Sequence, residues 1–452
     1  MDSVPDKHIR SISRSSRPRS STRGPLDASD DPLALPEIPV SPIKHESMLA
    51  AEGTFSGASF YELDPLAPDD LPETLEKDLS FLLRHGNFHT LSHLDIPPPL
   101  RSEFLILNPG EPLSTSLGIL EKLLAEGRFL IAANFSASIL TSSLISPTDI
   151  KIIFSIFYTR LACLDLSGNT VLAAQESKAL EDLSSAFYYI DLKLGSTAAD
   201  SDKDPEHEQD PRHIVPWPLR VLAVRLQSIG FGDSRRSIGG LYEIGLEARR
   251  EIMRSEATEA ERELWKQRLA DLGVRSVNAL IEMGDFDAAR RSLDSLRLSG
   301  PESSITKLRK ALLLLRIGDL EAASQVFDDA NETQEAGLLK PLISMSDGRF
   351  ADAVAEWRIL GEDKTRTDGA LVAQNLAVCL LYIGQLDESR QLLEAQVSSN
   401  HSFGSLIFNL STVYELCTDS ATRMKGQLAD TLSKQPIVGQ TNLDRPNSDL
   451  KL

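Results

Sequence analysis

The chain has 452 residues, 41% of them hydrophobic, with a formal net charge of −19 and a pI near 4.9. That is length enough for two or three domains or one long repeat array. The acidic balance argues against a nucleic-acid binder and against broad adsorption to anionic membranes, both of which need a basic footprint. Three cysteines, Cys163, Cys379 and Cys417, form an odd set with no CxxC, the pattern of a reduced, cytosolic protein.

In chain order, residues 1–70 are expected to be a disordered head. "RSISRSSRPRSSTRG" is poor in apolar residues, and "DPLALPEIPVSPIKHE" is punctuated by proline. Serines beside arginines, and Ser41-Pro42, are candidates for phosphorylation. There is no apolar h-region of a signal peptide, and Asp2 and Asp6 do not suit a mitochondrial presequence. No apolar run reaches the ~20 residues of a membrane span.

Residues 71–194 are expected to be an N-terminal helical segment with weak repeats. Apolar residues recur at three- and four-residue steps in "PLSTSLGILEKLLAEGRFLIAANFSASIL" and again from Thr148 onward, where Thr148 or Asp149 can cap a helix. "RHGNFHTLSHLD" is the best metal candidate. His85, His89 and His93 are four apart, so one helix would show all three on a face near Asp95, a spacing zinc uses. Gly86 and the following Pro97–Pro99 weaken such a helix, and no metal or other cofactor is expected. Residues 195–213 are rich in acids and read as an acidic linker.

From 214 to 430 helical periodicity returns with an internal repeat. Gly284, Gly318, Gly348 and Gly384 are 34, 30 and 36 residues apart. Two residues beyond each lies Phe286, Leu320, Phe350 or Leu386; five beyond, Ala289, Ala323, Ala353 or Ser389; nine beyond, Leu293, Phe327, Trp357 or Leu393. A glycine lets the chain turn sharply between two helices. The small residue lets the helices approach, and the large one fills the space between hairpins. This resembles the tetratricopeptide repeat, whose period is about 34 residues. Weaker copies stand at Gly127 with Ala132, Gly168 with Ala173, and Gly232 with Ser237. Pro341 is expected to shorten one first helix.

In "AVCLLYIGQLDESRQLL" the apolar run is then a first helix, Gly384 its turn, and 386–397 the second helix, with Cys379 a small packed residue. Residues 431–452 are expected to be a disordered tail. The fold class expected is all-α: a tetratricopeptide-type α-solenoid behind a disordered head.

Catalytic signatures are missing. "GFGDSRRSIGG" begins like a dinucleotide loop but has Arg235 where the third glycine belongs, and no P-loop, HExxH or GxSxG occurs. A scaffold that binds through helical repeats is expected instead of an enzyme. Asn375 and Tyr382, seven apart on one stripe of a first helix, are candidate partner-binding residues; equally, Tyr382 packs and Asn375 bonds locally.

Four strings resemble one family. "NLAVCLLYIGQLDESRQLLEAQV" (375–397), "IFNLSTVYEL" (407–416), "VPWPLRVLAVRLQ" (215–227) and "LWKQRLADLG" (264–273) look like subunit 12 of the TRAPP vesicle-tethering complex, a tetratricopeptide family. The resemblance covers roughly 214–425. It implies a non-catalytic subunit of a TRAPP III-type complex, which exchanges nucleotide on a Rab-type GTPase in ER-to-Golgi traffic and autophagy. It implies partner subunits of the 8, 11 and 13 types and a cytoplasmic location, peripheral at ER–Golgi intermediate and Golgi membranes. No catalytic residue carries over. Two alternatives stay open. One is a tetratricopeptide co-chaperone or adaptor that clamps acidic C-terminal peptides; the other is a metalloenzyme built on His85, His89 and His93.

Overall fold

The structure is a computed structural model that describes residues 63–66, 77–92, 94, 96–108, 110–190, 212–254, 257–296, 304–328, 336–363 and 368–435. The described residues form eight helical hairpins in series. They are α1 (Leu113–Ala125) with α2 (Phe129–Leu140), α3 (Ile150–Leu166) with α4 (Thr170–Glu176), α5 (Trp217–Phe231) with α6 (Ser234–Met253), and α7 (Glu259–Glu282) with α8 (Phe286–Ser295). Then follow α9 (Ser304–Ile317) with α10 (Leu320–Asp328), α11 (Leu339–Ser346) with α12 (Phe350–Glu362), α13 (Gly369–Tyr382) with α14 (Leu386–Ser398), and α15 (Gly404–Cys417) with α16 (Ala421–Lys434). This is the all-α solenoid that the periodicity predicts.

Seven of the eight hairpin turns share one backbone solution; the turn between α15 and α16 has no glycine and passes through an extended Thr418. Gly127, Gly168, Gly232, Gly284, Gly318, Gly348 and Gly384 all have positive φ, between 65° and 91°. At Gly384 the Gln385 N–H reaches back to the Leu380 carbonyl (2.9 Å) and the Gly384 N–H to that of Leu381 (3.1 Å). These two bonds close a Schellman motif, which satisfies carbonyls that the helix end would otherwise leave unpaired. The other six glycine turns repeat the longer bond, for example Asp285 to Leu280 and Arg349 to Ser344. The next residue often caps the second helix: Asp285 accepts the Ala288 N–H and Asp319 that of Ala322, both at 3.0 Å.

Packing follows from the small residues beyond each turn. Ala289, Ala323, Ala353 and Ser389 are fully buried. The Ser389 hydroxyl, in place of a methyl, donates to the Ala377 carbonyl across the hairpin at 2.8 Å. Trp357 is fully buried between hairpins and its indole N–H points at the Met345 sulfur at 3.2 Å. The Phe327 side chain lies outside the described residues. With Pro341 near its start, α11 has eight residues, fewer than any other first helix described. The apolar clusters follow one another along the array, each bridging adjacent helices, so stability is shared between neighbours.

Ahead of α1, the described residues of 77–108 form an irregular strap. Leu79 and Leu82 are fully buried in the first core, which runs on through α5 to Leu226. His89 is held by α3 and α4, while the Pro98–Leu100 turn packs against α16, with Leu100 in the last hairpin's core. The strap therefore joins the two ends of the array. Across the acidic segment, Tyr189–Ile190 pairs antiparallel with Arg212–His213, Tyr189 opposite His213; residues 191–211 lie outside the described residues.

Several sequence expectations meet differences. Residues 63–66, within the expected disordered head, lie against α5 and α7; residues 1–62, including Ser41, lie outside the described residues. Helix α16 extends through residues 431–434 of the expected tail, because Leu432 is buried there. Asp149 is the first residue before α3, but its carboxylate turns back to the Ser146 N–H (3.3 Å) and does not cap the helix.

Candidate interaction surface

The histidine helix does not form. Residues 80–83 and 85–87 are 3-10 turns, and the chain is extended at Phe88. The His89 side chain is exposed and the fold holds its backbone: the N–H donates to Glu176 Oε1 at 2.8 Å, and the carbonyl accepts from Arg160 Nη2 at 3.0 Å. Gly86 and the prolines that follow interrupt the periodicity, as expected of breakers. His93 and Asp95 lie outside the described residues, and no group of three metal-ligating side chains occurs among those described.

Cys163 and Cys379 are buried and Cys417 is partly exposed. Burial pushes the Cys163 thiol up to about 12 and the Cys379 thiol up to about 11, and raises that of Cys417. Thiols held this far from ionisation are poor nucleophiles. "GFGDSRRSIGG" forms the turn between α5 and α6, helix on both sides, which is no dinucleotide-binding context.

A groove of about 870 Å³ lies beside α5 and α6, lined among others by Lys178, Tyr189, Arg220, Phe231, Arg236 and Glu247. Its charges are mixed. Arg220 pairs with Glu247, whose carboxyl it holds below the usual range against the opposing effect of burial. Lys178 and Arg236 lie over the Phe231 ring at 5.2 and 4.2 Å. Such pairing suits a structural network better than a site for a ligand of one charge.

Exposed apolar side chains occur along the array, and one group of them lies on the C-terminal hairpins. Tyr382 is 66% exposed, its ring stacked flat on Phe350 at 4.3 Å. Asn375, one stripe back on α13, is half-buried. Leu371 on the same stripe is also exposed, as are Phe408 and Leu416 on α15 and Ile359 on α12. Gln374 and Ser405 hydrogen-bond at 3.3 Å, so the two first helices are in register. Neither α13 nor α15 contains a Lys or Arg, so their face lacks the cations that a carboxylate clamp requires. The sequence singles out Tyr382 and Asn375 as candidates; Leu371, Phe408 and Leu416 join them only on the exposure seen in the structure. Each is a large apolar residue on a first helix that is apolar on most of its faces, so periodicity alone does not single it out.

The family-like strings also meet in space. Trp217 of the first array string and Trp265 of the next pack edge to face at 5.3 Å. The 375–397 and 407–416 strings share one core through Ala377, Leu393, Leu410 and Tyr414. Comparison with known proteins agrees. Trafficking protein particle complex subunit 12 of Mus musculus is 26% identical over 252 residues, covering 49% of this chain and 31% of the relative. The Homo sapiens protein of the same name is 26% identical over 247 residues, covering 49% and 34%.

The chain is similar to trafficking protein particle complex subunit 12. It spans about a third of the length of these curated relatives. No family model matches the chain. No helix among the described residues is long and apolar enough to cross a membrane.

Proposed function

We propose that the chain is a non-catalytic scaffold subunit of a TRAPP-type complex. One observation carries this: the similarity to subunit 12 in two mammals, over a stretch of about 250 residues. The fold supports it, because a solenoid of hairpins offers long faces for docking and buries the Cys163 and Cys379 thiols in its packing. The proposed assembly is of the TRAPP III type, with partner subunits of the 8, 11 and 13 types. In that setting the chain works peripherally at ER–Golgi intermediate and Golgi membranes, in ER-to-Golgi traffic and autophagy. Nucleotide exchange on the Rab-type GTPase belongs to other subunits.

The proposed docking face is that of α13 and α15, with Tyr382, Asn375, Leu371 and Phe408. Its exposed aromatic and aliphatic side chains, free of Lys and Arg, suit an apolar partner surface. The test is affinity purification of the tagged full chain with mass spectrometry, in parallel with Phe408→Asp and Leu371→Asp variants. TRAPP subunits should co-purify with the wild type and be depleted with the variants. The purified chain alone should leave Rab nucleotide release at its intrinsic rate. Absence of every TRAPP subunit from the wild-type eluate overturns the assignment.

A further inference from the structure

Asp64, Pro65 and Leu66 occupy a slot at the junction of α5 and α7. Its floor is the edge-to-face pair Trp217 and Trp265. Arg268, three residues beyond Trp265, lays its guanidinium against both indoles, at 5.1 and 4.6 Å. Arg268 is only 8% exposed. Asp64 supplies the counter-charge: one carboxylate oxygen pairs with Arg268 and accepts the Leu66 N–H at 2.9 Å. The other oxygen accepts the Trp217 N–H at 3.0 Å, at the first residue of α5, where the helix dipole favours an anion. Leu66 then packs against the apolar cluster around Trp217, Leu241 and Trp265.

An empty slot would leave a desolvated guanidinium and a helix-end N–H without partners, which is costly. The slot therefore selects a definite chemistry: a carboxylate, a turn, and a branched apolar side chain two residues on. The sequence contains that chemistry twice. Asp-Pro-Leu-Ala occurs at 64–67 and again at 31–34.

We propose that the Trp217–Trp265–Arg268 slot is a recognition site for Asp-Pro-Leu peptides, and that Asp31–Leu33 competes with Asp64–Leu66 for it within the same chain. The tether permits this. From Leu66 to the strap at Lys77 is 11 residues, and from Leu33 it is 44. The loop closed by the upstream copy is four times longer, which disfavours it by about eight-fold. The downstream copy is thus the resident and the upstream copy the alternative, and exchange shifts the docked point of the head by 33 residues.

The test uses the full chain. Asp31→Ala with Leu33→Ala should leave the thermal midpoint unchanged. Asp64→Ala with Leu66→Ala should lower it by a few degrees, and all four substitutions together should lower it further, because the second copy can no longer fill the slot. A quadruple variant that melts with the 64/66 variant overturns the exchange. A fluorescent peptide of residues 28–37 should bind the quadruple variant at least about tenfold more tightly than the wild type, whose own copies compete at high effective concentration. The same peptide with Asp31→Asn should lose that binding; equal affinity of the two peptides overturns the slot. If the variants fail to fold, the wild type with excess peptide decides. Hydrogen exchange should accelerate at residues 63–66 while 217–222 and 265–272 stay protected, and unchanged exchange at 63–66 overturns the proposal.

Discussion

Arg160 and Glu176 form a bidentate ion pair with neither side chain exposed to solvent: Nε to Oε2 at 2.8 Å and Nη2 to Oε1 at 2.6 Å. The same guanidinium also donates to the carbonyls of Ala133 and His89. The pair thus ties α2, α3, α4 and the strap together. Removing one partner leaves a buried charge uncompensated, so Glu176→Ala should cost about 3–5 kcal/mol by urea denaturation. Replacing both with leucine should cost clearly less than the single change. A single variant within 1 kcal/mol of wild type would show that the pair contributes little.

Gly384 has φ of +82° with open space where a Cβ would project. The cost of a side chain there is backbone strain alone, about 1–3 kcal/mol for Gly384→Val. Gly369, at the start of α13 with equally open space and no left-handed backbone, is the control. Gly369→Ala should be neutral or slightly stabilising. Hydrogen exchange across 369–398 should accelerate only in the Gly384 variant.

Thiol labelling follows burial. At pH 7.5 the native chain should react with iodoacetamide at Cys417 first, the one cysteine that is not buried, and at Cys163 and Cys379 only on unfolding. Cys379→Ala should cost packing energy and leave partner capture intact. Loss of capture without loss of stability would give that thiol a function.

His213 is held neutral. Burial and the nearby Arg220 push its pKa down to about 4, while its ring bonds the Leu183 carbonyl and the Val215 N–H. The unfolded chain takes up a proton near pH 6.5 and the folded chain only near 4, so between these values the unfolded state binds more. Stability should therefore be fully present above pH 6.5 and fall as the pH drops toward 4, by at most roughly 3 kcal/mol. His213→Gln should flatten that part of the stability–pH curve. An unchanged slope would place the acid sensitivity elsewhere.

Hairpin turns were legible because the constraint is local: a left-handed residue with a Schellman bond demands glycine, and spacing alone reveals it. Small buried residues such as Ala353 and Ser389 were legible for a related reason, since close helices leave room for little else. Pairs such as Arg160–Glu176 and Asp64–Arg268 were not, because 16 and 204 residues separate the partners and nothing local marks an arginine that will be buried. The absence of a histidine helix was legible too, because Gly86 and Pro97–Pro99 interrupt the four-residue spacing. The exposed leucines of α13 and α15 were hidden: in a first helix apolar nearly all round, periodicity does not mark which apolar side stays uncovered.

The strap has a consequence for how the molecule is made. A hairpin array can form in chain order, each unit closing on the one before as it leaves the ribosome. The Pro98–Leu100 turn cannot finish docking in that order, because its seat on α16 is more than 300 residues downstream. Closing so long a loop raises the contact order and places strap docking at the end of folding. Until synthesis passes α16 the last hairpin's core lacks Leu100, so the strap's far end and α15–α16 should gain protection together, after every other hairpin is complete.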